Sequence, residues 1–182
     1  MDSSLPAYGP AVASLLKDLP PAPLDAGVPN EKVRLPLFAL APEKLFAHTG
    51  QPVRDQRMAK ACLAGLWLRH NFLDESHSLS QEIETPTGSF WHAILHRREG
   101  DFGNSRYWFR RAGQHPIFPA LNEAAATAGW PATPHWNPIT LVDRVEQTAR
   151  LGKDDPTVQL CQMVQQIEWE LLFDYSWKQA IA

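Results

Sequence analysis

In the stretch "FWHAILHRRE" two histidines, His92 and His96, stand four residues apart and Glu99 follows three residues later. On a helix that spacing stacks the two imidazoles one turn apart on one face, where both can address a single cation. A carboxylate one turn further on can accept an imidazole N–H and fix its tautomer. Upstream, "HNFLDESHSLSQ" places His70, Asp74, His77 and Gln81 at offsets that share one narrow helical arc. Two helices side by side would bring His77 or Asp74 to His92 and His96, and a divalent metal on His77, His92 and His96 would keep a coordination position open for water or substrate. Without a metal, the same groups suit general acid/base chemistry, because histidine titrates near neutrality beside an orienting carboxylate. The candidate catalytic set is therefore His77, His92, His96, Asp74 and Glu99. The motif is permissive: Ala93 occupies the position at which H-E-x-x-H carries its glutamate, and histidines at a bundle edge often only hydrogen-bond locally.

The same segment carries Arg97, Arg98, Arg106, Arg110 and Arg111 among Phe90, Trp91, Phe102, Tyr107, Trp108 and Phe109. Guanidinium groups fork onto carboxylates and phosphates, and aromatic faces stack on planar ligands. A small anionic ligand is expected on Arg97, Arg98, Arg106 and Arg110, with Asn104, Tyr107 and Trp108 beside it. Two competing readings use the same residues differently. In one, the arginines form bridges to Glu82, Glu84, Glu99 or Asp101 and the aromatics are core. In the other, segment 90–111 is a non-enzymatic docking face for a protein partner.

These side chains need helices to position them. From Arg54 to Gln81 there is no proline, and Met58, Cys62, Leu66, Arg69 and Leu73 recur at helical spacing, which predicts one helix of about 40 Å. Thr85-Pro86 starts a second helix that runs from near Ser89 to Arg98 and stops at Gly100, and a short third covers Arg106 to Ala112. Further helices are expected from Pro116 to about Ala128, over Ile139 to Leu151 after Asn137-Pro138, and over Thr157 to Gln179 after Asp155-Pro156. Pro20, Pro21, Pro23, Pro29, Pro36 and Pro42 forbid a long element in the first third. It reads as a wrapping segment, 1–50, anchored by Leu15, Leu16, Leu35, Leu37, Phe38, Leu40, Leu45 and Phe46, with Asp2 to Ala7 loose. No strand pattern is found. The fold expected is all-α: a single domain over 1–182, an irregular helical bundle with its core in 54–179.

A chain of 182 residues can bury a sizeable core. Its net charge of -3 supplies no basic excess for nucleic acid or an anionic membrane, so neither is expected as a partner. Cys62 and Cys161 have no metal or redox spacing and read as buried free thiols. With no signal-peptide or membrane-span pattern, a cytoplasmic, reducing location is expected.

The phrases D-E-x-H at Asp74–His77, W-H-x-I-x-H-R-R-E at Trp91–Glu99 and Y-W-F-R-R at Tyr107–Arg111 resemble a family of small hypothetical proteins of bacteria and fungi, over about a quarter of the chain. That family has no established activity, so the resemblance assigns no roles. It implies that Asp74, His77, Trp91, His92, His96, Arg97, Arg98, Glu99, Asn104, Tyr107, Trp108, Arg110 and His115 work as one unit.

Overall fold

Three helices start where a capping side chain precedes a proline. Thr85 accepts the backbone N–H of Gly88, Asn137 that of Ile139 and Asp155 that of Thr157. The proline that follows each cap needs no donor in the first turn. The structure, a computed structural model, describes residues 8–182. Its α-helices in chain order are α1 (Gly9–Leu16), α2 (Arg34–Phe38), α3 (Gln56–Arg69), α4 (Leu73–Ser80), α5 (Pro86–Glu99), α6 (Phe102–Ala112), α7 (Phe118–Thr127), α8 (Pro138–Thr148) and α9 (Pro156–Ile181), with 3-10 turns at Glu31–Val33 and Pro42–Thr49. No strand occurs among the described residues, and the all-helical class is as expected. The looseness expected of Asp2 to Ala7 falls outside the described residues.

Helix α5 is the axis of the molecule. Every residue from Thr87 to Arg98 is buried, as befits a helix covered on all sides. Trp91 packs edge-on to Trp169 of α9 and donates to Ser176 Oγ at 3.2 Å. Trp169 in turn donates to the Gly65 carbonyl of α3 at 2.9 Å. A β-carbon at Gly65 would sit 2.8 Å from the Trp91 ring, so only glycine lets α3 approach this closely. On the other side, Ser105 of α6 donates to the Ala93 carbonyl at 2.8 Å and Phe109 meets Phe90.

The single helix expected over 54–81 is two helices. Asp55 caps α3, which ends at Arg69, and Asn71 then adopts a left-handed φ of 65° before α4 begins at Leu73. Tertiary contacts outweigh helix propensity here. The turn drops Phe72 into the core against Trp67, while the Asn71 amide donates to the Val28 carbonyl at 2.8 Å and its oxygen accepts from Arg98 at 2.6 Å. The break moves His70 off the arc of His77. Its Nδ1 accepts from Asn30 instead, at 3.2 Å.

The proline-rich segment does wrap the bundle. Its exposed-backbone problem is solved by buried donors from the helices: Arg69 to the carbonyls of Leu19 and Pro20, Gln165 to Ala22 and Pro23, and Arg98 to Asp25 and Ala26. Val12, Leu15, Leu37, Leu45 and Phe46 anchor it in the core. Leu35 and Phe38, expected as anchors, are exposed instead, because the short α2 presents only Leu37 inward. Cys62 and Cys161 are buried free thiols, and burial raises the pKa of each. No helix among the described residues is long and apolar enough to cross a membrane.

Candidate metal centre

A helix buried on all sides must find a partner for every polar side chain it carries. Helix α5 does so almost throughout. Thr87 is hydrogen-bonded to His115 Nε2 at 3.1 Å. His96 Nδ1 meets Glu99 Oε2 at 2.8 Å, and because a carboxylate only accepts, Nδ1 carries the proton and Nε2 is the nitrogen left to face the cluster. Arg97, without any exposed surface, is paired with the equally buried Glu168 of α9. Arg98 places its donors on the carbonyls of Leu68, Asp25 and Ala26 and on Asn71.

His92 is the ring that lacks a partner altogether, while Arg97 leaves only its Nε unpaired. His92 is 3 % exposed, yet neither Nδ1 nor Nε2 has a hydrogen-bond partner among the described residues. Its surroundings are other rings. The His96 ring stacks on it at 4.7 Å, His77 of α4 stands edge-on at 4.6 Å, and Trp108 of α6 stacks at 4.1 Å. His77 is also 5.4 Å from His96, so the three imidazoles cluster, with one ligand atom from each lying within 4.8 Å of the others. Burial pushes the His92 pKa down to about 3, with the His96 and His77 rings adding to the effect. The ring is thus neutral over the physiological range and keeps a lone pair for a cation. A tetrahedral ion with nitrogens at about 2.0–2.1 Å spaces its ligand atoms about 3.3 Å apart, so the separations between the ligand atoms need to shorten by at most about 1.5 Å to bind one.

Comparison with protein-family models, curated proteins and solved structures finds no match. The chemistry of the site alone carries the functional argument.

Of the residues expected in the site, the fold unites His77, His92, His96, Glu99 and Trp108. Others are placed elsewhere. Asp74 is exposed on α4, one turn from His77, and stands outside the histidine cluster. The expected anion-binding roles of Arg97, Arg98 and Arg106 are corrected by their partners: Arg97 and Arg98 are internal ties, and Arg106 pairs with Asp143, at 2.8 Å, and with Glu146 of α8. Arg110 is exposed and lines a separate cavity with Gly113 and Trp136. Asn104 is spent on the α6 cap, donating to Asp101 through both its backbone and its side chain. His115 is buried under Phe90 and Tyr175. Its Nδ1 accepts from Ile117 N, which makes Nε2 the donor to Thr87.

The aromatics of segment 90–111 are mostly interior. Phe90, Trp91 and Phe109 are core, Phe102 and Trp108 are half-buried, and Tyr107 alone is exposed. Two important residues escaped the sequence reading, Gln165 and Glu168. Their signal is a polar i, i+3 pair interrupting the apolar face of α9, which is legible as the partner of a buried cation only once α5 is known to lie against it.

Proposed function

We propose that the protein is a metal-dependent enzyme whose centre is formed by His77, His92 and His96. The observation that carries this reading is the buried His92 ring with no hydrogen-bond partner at either nitrogen among the described residues, beside two more imidazoles. A buried polar group left alone costs about 1–3 kcal/mol, and a cation bound to its lone pair relieves that cost. Three neutral imidazoles are a common donor set for zinc and its neighbours, and three protein ligands leave a position open. An ion held in this way supplies Lewis acidity, polarising a carbonyl or phosphoryl oxygen or lowering the pKa of water.

The chain's own residues divide the remaining tasks. Glu99 accepts a hydrogen bond from His96 Nδ1, so that Nε2 is the ligating atom and the ring is held in orientation. Trp108 covers the outer face of His92 and keeps water from that side. His77, half-buried, is the ligand nearest solvent and comes from a different helix, so it completes the set only when α4 is docked on α5. Hydrolytic or hydration chemistry on a small substrate is the reaction class this arrangement suits best.

The test is elemental analysis of tag-free protein supplemented in turn with zinc, cobalt, nickel, manganese and iron. One equivalent of a divalent transition metal is expected, with loss in His92→Ala and in His96→Ala. Metal at a hundred times its dissociation constant is expected to stabilise the fold by about 2.7 kcal/mol, and a chelator to reverse that gain. Protein free of metal after every supplement would refute the reading.

A further inference from the structure

Away from the histidine centre, the end of α6 and the first turns of α7 and α8 line a trough. It consists of two cavities, of about 390 and about 350 Å3, that share Gln114, Phe118 and Trp136 as a common wall. Prolines stand along it: Pro116, Pro119 and Pro134 line one cavity and Pro138 the other. Two hollows side by side, floored by aromatic rings, suit an extended chain better than a compact molecule.

The charge along the trough is one-sided. The chain as a whole carries a net charge of -3, yet no acidic side chain lines either cavity. Arg110 does, and it is exposed, with no ion pair or side-chain hydrogen bond among the described residues. Its neighbours differ: Arg106 is held by Asp143 and Glu146, and Arg111 lies on the Trp108 ring. The first turns of α7 and α8 each bring the positive end of a helix dipole to the same place.

Trp136, in the shared wall, is 5 % exposed, and its indole N–H has no acceptor among the described residues. An indole N–H can only donate, and a buried one normally finds a partner. His115 and Asn122, which also line the trough, are already spent, on Thr87 and Ile117 and on Thr133. A ligand here must therefore bring acceptors and negative charge. A proline-rich segment brings carbonyls with few N–H donors, is preformed in an extended helix that loses little entropy on docking, and packs its rings on aromatic walls. We infer that the trough docks an acidic, proline-rich segment of a partner protein, which pairs a carboxylate with Arg110 and offers a carbonyl to Trp136. The site is independent of the histidine centre and goes beyond the metal-centre reading.

The experiment is an NMR titration of the full chain with the synthetic peptide Ac-Pro-Pro-Glu-Pro-Pro-Pro-Glu-Pro-amide, followed at the tryptophan indole N–H signals. The Trp136 signal is the one that Trp136→Phe removes, and it is expected to shift and to saturate at one peptide per chain. By fluorescence anisotropy, Arg110→Gln is expected to weaken the peptide about two- to fivefold at low salt with an unchanged thermal midpoint. Trp136→Phe, which keeps a ring and loses the donor, is expected to weaken it about three- to tenfold. Arg111→Gln leaves binding as it was. The inference is overturned if the Trp136 signal does not move, if Arg110→Gln binds as well as the parent, or if peptides with Gln for Glu or Ala for Pro bind as tightly. An equal shift with succinate would overturn it too, since the trough would then be a site for small acids.

Discussion

His96 and Glu99 form the pair at which the residue scale is most exposed to test. Their hydrogen bond is 2.8 Å long and lies at the rim of the centre, where Glu99 is partly exposed and contributes little to packing. Its role is to hold a tautomer. Glu99→Gln offers His96 Nδ1 an amide in place of a carboxylate, so the ring loses part of its orientation and basicity. Metal affinity is expected to fall about 10–100-fold, the range typical of outer-shell partners of a ligating histidine, with the denaturation midpoint hardly changed. Competition against a chelator of known affinity measures this, and an unchanged dissociation constant would remove Glu99 from the centre. The sequence made this pair visible, because an i, i+3 offset on a helix can mean only adjacency. It could not show that His92 is the ring left without a partner, since that depends on which neighbours the other helices bring.

At the scale of elements, the decisive event is the break between α3 and α4. Nothing in residues 54–81 announces it: there is no proline, and Asn71, the residue that takes the left-handed φ, is no clearer a signal than Gly65, which stays helical. The break exists because Asn71 is tied to Val28 and Arg98 and because Phe72 gains a core site. It also aims α4, and through α4 His77. Asn71→Val forces a β-branched residue into φ of 65° and removes both side-chain hydrogen bonds. A loss of about 2–4 kcal/mol is expected in urea denaturation, together with weaker metal binding through the displaced His77. Asn71→Gly keeps the backbone conformation and is expected to lose less. Equal stability of the valine and glycine variants would show that the turn is not strained. The helix starts at Pro86, Pro138 and Pro156 were readable in advance because cap and proline act through the local backbone alone.

At the scale of the whole molecule, buried polar groups on several helices make stability depend on pH. His70 and His115 are almost completely buried, and desolvation first of all holds the pKa of each at about 4. The unfolded chain takes up these protons near pH 6.5, whereas the folded chain resists until about pH 4. The stability they contribute is therefore complete above pH 6.5 and lost as the pH falls toward 4, at about 1.4 kcal/mol per pH unit for each group. Urea midpoints measured from pH 7 to pH 4 are expected to fall, and His115→Gln to remove its share of the slope. Parallel profiles for parent and variant would contradict the assignment. The Arg97–Glu168 pair belongs to the same scale: both charges are fully buried, and removal of either would leave the other without compensation.

By itself the sequence determined what acts over a few residues: helices and most of their starts, the absence of strands, a proline-rich wrap, and His92, His96 and Glu99 on one helical face. These follow from backbone geometry and side-chain periodicity, which need no knowledge of neighbours. Only the tertiary structure decided which charges were free. Arg97, Arg98 and Arg106 look like ligand-binding cations in the chain and are structural ties in the fold, because Glu168, the wrap carbonyls and the acids of α8 reach them from more than thirty residues away. The same long-range packing left Arg111 without a carboxylate partner among the described residues and brought a third imidazole to His92. Pairing across such separations is set by how the helices dock, and spacing along the chain does not encode it.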